Sequence, residues 1–584
     1  MFEVSVEVNT ARPKLYLNLY WHMHQPDYRD LATNQYVLPW TYLHAIKDYS
    51  DMAYHLEVNP KARVTFNFVP ILLEQLEDYT EQVKHNKIRD PLLALLTKKN
   101  LTDISNSECS LIVQSCFKSH HEKMLSPFPH YQRLLQMYQL VEPMMTNDQF
   151  HYLSGQYKAD LLVWYHLAWC GESLRRTNPV VQTLMAKGVL FTHEERLQLY
   201  DVIAETIAGL IPRYKALMQS GQIEISTTPY YHPILPLLLD FQSTLDAMPD
   251  APLPENKAYA GGQSRAVAHI LSAKKAHEHY FGANPRGMWP AEGAVSHAAL
   301  SLMAEHNVSW AATGQGVLAN SLQKSQLSAD NKHDYLYQPY RVTDGQNDIL
   351  CFFRDDQLSD KIGFEYAKMH THDAVSDFVQ TLEHIHASNN SSQSKIVSVI
   401  LDGENAWEYF PYNGFYFLSE LYEALVNHPD IEMTTFSDIV DMYQSTDAVD
   451  AGLSVPILPQ IAAGSWVYGT FSTWIGSKDK NLAWDLLCSA KKTYDVVMAK
   501  SKFNKRQREA VERQLAICEG SDWFWWFGDY NSSDSVASFD QLYRRNLINL
   551  YTLLGQPIPE TLHHQISVGG GNADNGGTMR RGQE

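Results

Sequence analysis

The sequence predicts an α/β fold: an incomplete (β/α)7 barrel with helical insertions and a helical C-terminal domain. Three observations support this prediction: seven short apolar strand-like runs, helical stretches between them, and polar or acidic residues at or just after several run ends. Alternating strands and helices indicate a parallel sheet with helical crossovers. Seven such units suggest a barrel that is one unit short of the usual eight.

The strand-like runs come in a regular series along the first three quarters of the chain. Segments with apolar residues at helical spacing, such as 194–218 and 266–280, separate several of them. The runs cover residues 14–20, 64–69, 222–226, 286–289, 309–312, 349–353 and 396–401.

The domain organisation follows from where this alternation starts and stops. We expect the barrel to occupy residues 1–445, with a helical insertion at about 71–165 between the second and third strands. Helical patterns after residue 445 predict a C-terminal domain over 446–567, which would cap the active site at the barrel mouth. Residues 568–584 are rich in glycine and predict a disordered tail.

Composition and charge limit the possible classes of function. The formal net charge of −19 argues against nucleic-acid binding, which depends on a basic surface, and suits a neutral substrate. No basic region followed by an apolar run opens the chain, and no apolar stretch is long enough for a membrane span. We therefore expect a cytoplasmic enzyme without a membrane partner.

The cysteine pattern argues against a disulfide framework. The cysteines are scattered and form no CxxC pair, which predicts buried free thiols rather than a disulfide framework. The six residues are Cys109, Cys116, Cys170, Cys351, Cys488 and Cys518.

Two carboxylates occupy matching positions at strand ends. Glu292 follows the segment 288–291 (Met-Trp-Pro-Ala), and Asp402 closes the apolar run 397–401. Strand carboxyl ends meet at one mouth of a parallel barrel, so we expect the two acids to face a common cleft. Such a pair is the usual equipment for cleaving a glycosidic bond, with one acid charged and the other kept protonated by burial. For Glu292 alone, a helix N-terminal charge is the simpler interpretation.

Other acids compete for the role of proton donor. Glu404 and Glu408 follow Asp402 closely in the chain. We prefer Asp402 because it is the first residue past the strand, where burial against β-branched side chains favours the protonated form. The other two would orient neighbours or bind sugar hydroxyls.

Two histidines end the first strand. His22 and His24 are two residues apart, and residues at this spacing on a strand share a face. We expect them to hydrogen-bond to sugar hydroxyls. They could instead hold zinc with help from His232, Asp402 or Glu224, although no HExxH-type motif is present. The preferred interpretation has no metal and no cofactor.

Further substrate contacts are expected at the rim and in the C-terminal part. Glu224 is equally well explained as a structural ion-pair partner. Arg354 could keep the nucleophile charged by ion pairing, or form a structural salt bridge. The aromatic band in the C-terminal part could form sugar subsites or a helical core. The full set of predicted substrate contacts is His22, His24, Glu224, His232, Trp289, Arg354, Trp407, Trp466, Trp474, Asp522 and Trp523.

Five short segments occur in a characteristic order along the chain: His24-Gln-Pro26, Gly221-Gln-Ile-Glu224, Trp289-Pro-Ala-Glu292, Leu401-Asp-Gly-Glu-Asn405 and Thr473-Trp-Ile-Gly476. Taken together, these segments resemble glycoside hydrolase family 57. Three further details resemble its amylopullulanase-like or α-amylase-like branch: Trp407, the segment 412–414 (Tyr-Asn-Gly) and the segment 522–526 (Asp-Trp-Phe-Trp-Trp).

The resemblance implies a seven-stranded barrel, α-glucan substrates and a retaining mechanism. By matching position, Glu292 would be the nucleophile and Asp402 the acid/base. We therefore expect a retaining hydrolase of α-1,4 bonds, with α-1,6 bonds as a second candidate linkage. The family also includes 4-α-glucanotransferases and branching enzymes, so transglycosylation is the first alternative. A metal-dependent carbohydrate enzyme and a non-catalytic glucan-binding protein are more distant alternatives.

Overall fold

The computed structural model describes residues 14–144, 150, 153–388, 394–445 and 455–570. Nine of the described strands form one sheet, and β2 and β3 form a separate antiparallel pair. The described strands are β1 Leu15–Met23, β2 Arg29–Asp30, β3 Gln35–Tyr36, β4 Val64–Phe68, β5 Ile223–Thr227, β6 Gly287–Met288, β7 Trp310–Gly314, β8 Tyr340–Thr343, β9 Asp348–Arg354, β10 Lys395–Asp402 and β11 Ile431–Met433.

Seven parallel strands close into a barrel. Around the ring they follow the order β1, β4, β5, β6, β7, β9 and β10, and β10 pairs back to β1. A parallel contact between Arg354 and Ser398 joins β9 to β10. β8 lies antiparallel on the outside of this ring beside β9, and β11 pairs with the start of β1. Each of the seven predicted runs contributes one strand, so the predicted incomplete (β/α)7 barrel is confirmed.

Helices surround the barrel and fill the connections. Those between β4 and β5 run from α3 to α10, well past the predicted end of the insertion at residue 165. The described α-helices are α1 Trp40–His44, α2 Ser50–Glu57, α3 Pro70–Lys84, α4 Pro91–Thr97, α5 Asn106–Ser115, α6 Pro129–Val141, α7 Gly155–Trp169, α8 Glu172–Thr177, α9 Pro179–Lys187, α10 His193–Gln219, α11 Leu235–Leu239, α12 Gly262–Phe281, α13 His297–Glu305, α14 Gln315–Lys324, α15 Lys332–Tyr335, α16 Asp356–Asp360, α17 Thr371–Ala387, α18 Phe415–Val426, α19 Phe436–Gln444, α20 Lys478–Lys500, α21 Lys505–Cys518, α22 Asp522–Trp526 and α23 Ser533–Leu553.

The barrel strands carry two buried faces. Leu15, Leu17 and Leu19 of β1 join the large core between the strands and the surrounding helices. Tyr16 and Tyr20, on the opposite face, join a separate aromatic cluster inside the ring. This division follows from strand geometry, since successive side chains point to opposite faces. His22 shares the inward face and lies at the carboxyl end of the strand, at the mouth of the barrel.

The C-terminal part of the described chain is mainly helical, from α20 to α23. The proposed division into a barrel over 1–445 and a C-terminal domain over 446–567 begins within residues 446–454, which lie outside the described residues. Of the proposed tail over 568–584, the structure describes only residues 568–570, where the Gly570 backbone N–H donates to the Asn531 carbonyl oxygen at 3.1 Å. The division therefore remains a proposal.

Two further expectations concern the state of the cysteines and the presence of membrane-spanning helices. All six cysteines are buried and have free thiols, as the scattered spacing predicts. Among the described helices, none combines the length and the apolar character needed to cross a bilayer. The first thirteen residues, where we expected no secretory signal, lie outside the described residues.

Candidate functional site

Glu292 lies on a strained turn directly after β6. The backbone of Glu292 has φ 60° and ψ 23°, in the left-handed region that non-glycine residues rarely adopt. Gly293 follows with φ 57°, and a Cβ atom there would approach the ring of Trp289 and the Cβ atom of Trp466. Strain of this kind costs of order 1–3 kcal/mol and is concentrated at functional sites. The turn aims the Glu292 side chain into the barrel mouth, where it remains only 11% exposed.

The Glu292 carboxylate contacts two side chains from distant parts of the chain. Ser521 Oγ lies 3.0 Å from Glu292 Oε1, at hydrogen-bond distance. His232 Nδ1 lies 2.8 Å from the same Ser521 Oγ and 3.7 Å from Glu292 Oε1. His232 also has a left-handed backbone, with φ 59°. The two strained residues therefore meet through one serine hydroxyl.

Asp402 is the last residue of β10 and pairs in register with His22 of β1. Asn405 Nδ2 donates a hydrogen bond of 2.8 Å to Asp402 Oδ2. Burial raises the pKa of Asp402 to about 6, although this hydrogen bond and the nearby His24 and Arg354 act in the opposite direction. A carboxyl group with this pKa can hold a proton in mildly acidic to neutral solution.

Glu292 and Asp402 stand on opposite sides of the mouth. Around the ring, β6 and β10 are separated by two strands on one side and three on the other. Burial, then repulsion from Asp522 and from Asp402, raises the pKa of Glu292 well above its usual value. Asp522 and Asp402 therefore both lie near enough to Glu292 to disfavour its charged form.

Three histidines stack along this mouth. The rings of His24 and His232 are 3.9 Å apart between centroids, and His22 lies 5.2 Å from His232. His22 Nδ1 lies 2.7 Å from Asn67 Oδ1, an amide oxygen that accepts a hydrogen bond from the imidazole N–H. Burial, with the nearby His24, lowers the pKa of His22 to about 3. His22 is therefore a neutral imidazole near pH 7.

His24 connects the barrel to the C-terminal helices. His24 Nε2 lies 2.7 Å from Asp522 Oδ1, and the two side chains are 12% and 13% exposed. Asp522 begins α22, directly after Ser521. Residues 521 and 522 of the C-terminal part thus reach the same mouth as the strand-end residues.

His24, His232 and Asp522 could in principle offer metal ligands. Among the described residues, these three side chains have ligand atoms within 4.8 Å of one another. However, the His24 and His232 rings are inclined by only 20° in a face-to-face stack. Their in-plane lone pairs therefore do not converge as the tetrahedral coordination of zinc requires. The His24–Asp522 hydrogen bond also occupies one of the candidate ligand pairs, so we assign no metal ligands here.

Glu224 lies at the other end of the barrel. It is the second residue of β5, whose carboxyl end is Thr227. Its carboxylate accepts hydrogen bonds of 2.9 Å from Trp310 Nε1 and from the backbone N–H of Ser437 in the first turn of α19. Both donors are uncharged, so they hold Glu224 by hydrogen bonds rather than by an ion pair, and we do not place Glu224 among the proposed substrate contacts.

Arg354 is an ion-pair partner of other carboxylates rather than of Glu292. Its guanidinium donates to Asp356 and Asp360 at 2.8 Å each, and to the backbone carbonyl of Ile400. The side chain is buried beside the Trp466 ring, 5.5 Å from the ring centroid. Its contribution to the site is the positive potential that lowers the pKa of Asp402.

The tryptophans divide into one at the mouth and four in cores. Trp466 is half-buried, and its backbone N–H donates to the Glu292 carbonyl oxygen at 3.3 Å. The other four tryptophans predicted to contact substrate are at most 1% exposed, so their ring faces are unavailable to a sugar. Trp289 packs inside the barrel, and the three outside it pack among the surrounding helices. These buried residues are Trp289, Trp407, Trp474 and Trp523.

Sequence reasoning missed three polar residues that complete the site. Ser521 contacts Glu292, Asn405 contacts Asp402, and Asn67 orients His22. Ser521 precedes the acidic and aromatic segment 522–526, and Asn405 lies within the segment that supplied Asp402. Proximity to those segments is the available signal, whereas nothing local distinguishes Asn67.

Comparisons with known proteins agree with this fold. The family described as "Glycosyl hydrolase family 57" matches residues 18–452. A branching enzyme of that family from Thermococcus kodakaraensis has a TM-score of 0.55 and 14% identity, over 93% of this chain and 89% of its own. A branching enzyme of the same type from Pyrococcus horikoshii has a TM-score of 0.55 and 15% identity, over 95% of this chain and 97% of its own. The α-amylase AmyC from Thermotoga maritima has a TM-score of 0.54 and 13% identity, over 94% of this chain and 96% of its own. No curated protein sequence gives a significant match.

Proposed function

Because the chain belongs to glycosyl hydrolase family 57, we propose that it is a retaining glycoside hydrolase of α-glucans. The observation that carries this proposal is the pair Glu292 and Asp402: Glu292 lies on the turn after β6 and Asp402 ends β10, on opposite sides of one barrel mouth. Double displacement needs one carboxylate to attack the sugar and another to move protons. We propose α-1,4 bonds as the target, with α-1,6 bonds as a second candidate.

In the first step, Glu292 attacks the anomeric carbon and forms a glycosyl-enzyme. Asp402 protonates the leaving glycosidic oxygen, which suits a carboxyl group whose pKa is raised to about 6. In the second step, Asp402 takes a proton from water as the water attacks the same carbon, and the bond from that carbon to Glu292 breaks and releases the Glu292 carboxylate. Two displacements on one carbon restore the original anomeric configuration.

The remaining side chains at the mouth would bind and orient the sugar. We propose that His22, His24 and Asp522 hydrogen-bond to hydroxyl groups next to the cleaved bond, whereas His232 is only 1% exposed and contacts Ser521. Trp466 is the one proposed tryptophan with an accessible ring, so it is our candidate for stacking against a sugar face. Hydrogen-bonding groups of this kind suit an uncharged carbohydrate, in line with the net charge of −19.

Transglycosylation on the same substrates is the second candidate. Two of the structural relatives named above are described as branching enzymes, and one as an α-amylase. All three are below 25% identity, so their likeness supports the fold and does not separate the two reactions. Ser521 and Asp522 close one side of the mouth from the C-terminal part, and a more enclosed site favours a sugar acceptor over water.

Product analysis separates the two reactions. Purified protein is incubated with maltoheptaose, amylose and pullulan, and the chain lengths and linkages of the products are determined. Shorter α-1,4 products alone support hydrolysis, whereas longer chains or new α-1,6 branches support transfer. Binding without turnover on all three glucans would refute both reactions and favour a non-catalytic glucan-binding protein. The Glu292→Gln variant serves as the inactive control.

A further inference from the structure

We propose that Ser521 acts with His232 as a positioning pair that favours the charged form of Glu292 and so shifts the shared proton of the two acids towards Asp402. This inference rests on the proposed roles of Glu292 and Asp402. It assigns the C-terminal part of the chain a role in the ionisation of the site, beyond covering the mouth. Neither Ser521 nor His232 touches the reacting atoms in this account, so both are positioning residues.

The direction of each hydrogen bond follows from proton counting. A charged Glu292 carboxylate has no proton, so Ser521 Oγ must donate across the 3.0 Å contact to Oε1. A serine hydroxyl has only one proton, so the 2.8 Å contact with His232 must be donated by Nδ1–H to Ser521 Oγ. The chain of donors therefore runs from His232 through Ser521 to Glu292 whenever Glu292 is charged.

The surroundings of His232 favour this arrangement. The side chain is 1% exposed, and burial with the neighbouring His24 and His22 lowers its pKa well below the usual value. His232 is therefore neutral, with one ring proton to place. In the described part of the chain Nε2 has no hydrogen-bond partner, whereas Nδ1 faces Ser521. Placing the proton on Nδ1 gives it an acceptor.

The Ser521 hydrogen bond opposes the burial and the charges at the mouth, whose combined effect still favours the protonated form of Glu292. Burial and the negative charges of Asp522 and Asp402 raise the pKa of Glu292, whereas the Ser521 hydrogen bond lowers it. The titratable groups around Glu292 are His22 and His24 at the end of β1, His232 after β5, Asp402 on β10 and Asp522 on α22.

One proton shared by two acids has two possible locations. Only the form with Glu292 charged and Asp402 protonated can react. The Ser521 hydrogen bond stabilises the charged form of Glu292, and charge-assisted bonds are about twice as strong as neutral ones. A bond of this class changes the ratio of the two forms by roughly 10- to 100-fold.

The experiment is the pH profile of kcat/KM on maltoheptaose for wild type and Ser521→Ala. On the acidic side, where Glu292 must lose its proton, we expect Ser521→Ala to fall about 10- to 100-fold below wild type. On the alkaline side, where loss of the Asp402 proton limits both proteins, the two profiles should converge. Ser521→Thr keeps the hydroxyl and should restore the wild-type acidic limb.

The matched control is Ser532→Ala in the same C-terminal part. Ser532 is 8% exposed and caps α23 by accepting from the backbone N–H of Ser535, so its loss affects a helix end without touching Glu292. We expect an unchanged pH profile for this variant. If Ser521→Ala does not fold, Ser521→Cys, whose thiol is a weak donor, must show the same selective loss on the acidic limb.

Two results would overturn the inference in distinguishable ways. A Ser521→Ala profile parallel to wild type at all pH values means that Ser521 does not bias the proton, even if activity falls. If Glu292→Gln retains wild-type turnover, the proposed nucleophile is wrong, and the positioning role falls with it. If Glu292→Gln is inactive and the Ser521→Ala profile is parallel to wild type, the role of Glu292 stands and only the positioning role of Ser521 is rejected.

Discussion

Ser521 and Glu292 are 229 positions apart in the chain, yet their side-chain oxygens lie 3.0 Å from each other. This contact joins a barrel strand end to the C-terminal helices. It also shows why neither part presents the complete site alone: the barrel supplies the two proposed catalytic acids, and the C-terminal part supplies Ser521 and Asp522.

Loss of either proposed catalytic acid should abolish turnover without unfolding the protein. We expect Glu292→Gln and Asp402→Asn each to lower kcat about 100-fold or more, since general acid–base catalysis alone contributes 10²–10⁴-fold. Burial raises the pKa of both carboxyl groups, so neutral isosteres should leave the melting temperature unchanged or higher. Steady-state kinetics and thermal unfolding measure the two effects. A variant with more than about a tenth of wild-type activity would contradict its assigned role.

Glu224→Gln should change stability rather than activity. The carboxylate accepts hydrogen bonds from Trp310 and Ser437, and an amide group there would turn a donor towards one of these donors. A buried donor left without an acceptor costs about 1–3 kcal/mol. We expect that loss in chemical denaturation, with kcat and KM of the folded protein within about twofold of wild type because the residue lies far from the mouth. A large rise in KM would restore Glu224 as a substrate contact.

A pair of tryptophan variants should separate sugar binding from core packing. Trp466→Ala removes the half-buried ring beside Glu292, and we expect kcat/KM to fall about tenfold, in line with about 1.5 kcal/mol for an aromatic contact. Trp523→Ala removes a ring that is 1% exposed, and we expect a loss of about 3–5 kcal/mol in unfolding free energy. KM of the folded Trp523→Ala protein should stay at the wild-type value. If Trp523→Ala instead raises KM while Trp466→Ala lowers only the stability, Trp523 rather than Trp466 is the ring that contacts the sugar.

Glu404→Gln should stabilise the protein in a pH-dependent way. Glu404 is 3% exposed, and burial with repulsion from Asp402 and Asp48 raises its pKa well above the usual value. A raised pKa in the folded state means that this group favours folding below the ordinary glutamate pKa, and that the contribution is lost as pH rises through the folded value. Glutamine cannot ionise, so the variant should exceed wild type by about 1–3 kcal/mol at pH 8 and match it near pH 4.5.

The control for this pH series is Glu560→Gln, because the Glu560 side chain is 85% exposed. Its stability should differ from wild type by the same small amount at every pH. Thermal unfolding between pH 4.5 and pH 8 measures both variants. A Glu404→Gln difference that is constant with pH would mean that ionisation of Glu404 does not destabilise the fold.

The architecture was predictable because barrel strands carry a strong local signal. Each strand is a short apolar run, and the run alone locates its end to within three residues. Since the carboxyl ends of parallel strands meet at one mouth, Glu292 and Asp402 could be placed together from local pattern and topology. The same reasoning failed for Glu224, since β5 ends at Thr227, three residues further along. Three residues of strand span about 10 Å, enough to move a side chain from the mouth to the opposite end.

Side-chain exposure and long-range contacts were not predictable from local pattern. Tryptophan suits both a sugar platform and a core, and nothing in the segments around Trp474 and Trp523 distinguishes these environments. The contact between Ser521 and Glu292 depends on how the C-terminal helices dock on the barrel. A lone serine carries no sequence signal for such a contact.

Covalent trapping tests the central claim most directly, namely that Glu292 is the nucleophile of a retaining enzyme. A 5-fluoro-α-glucosyl fluoride is expected to form a glycosyl-enzyme that hydrolyses slowly, because the added fluorine destabilises the oxocarbenium-like transition states. Peptide mass spectrometry should then find one sugar attached to Glu292 in wild type and none in Glu292→Gln. A sugar on another residue, or steady turnover with inverted anomeric configuration in the released sugar, would contradict the account.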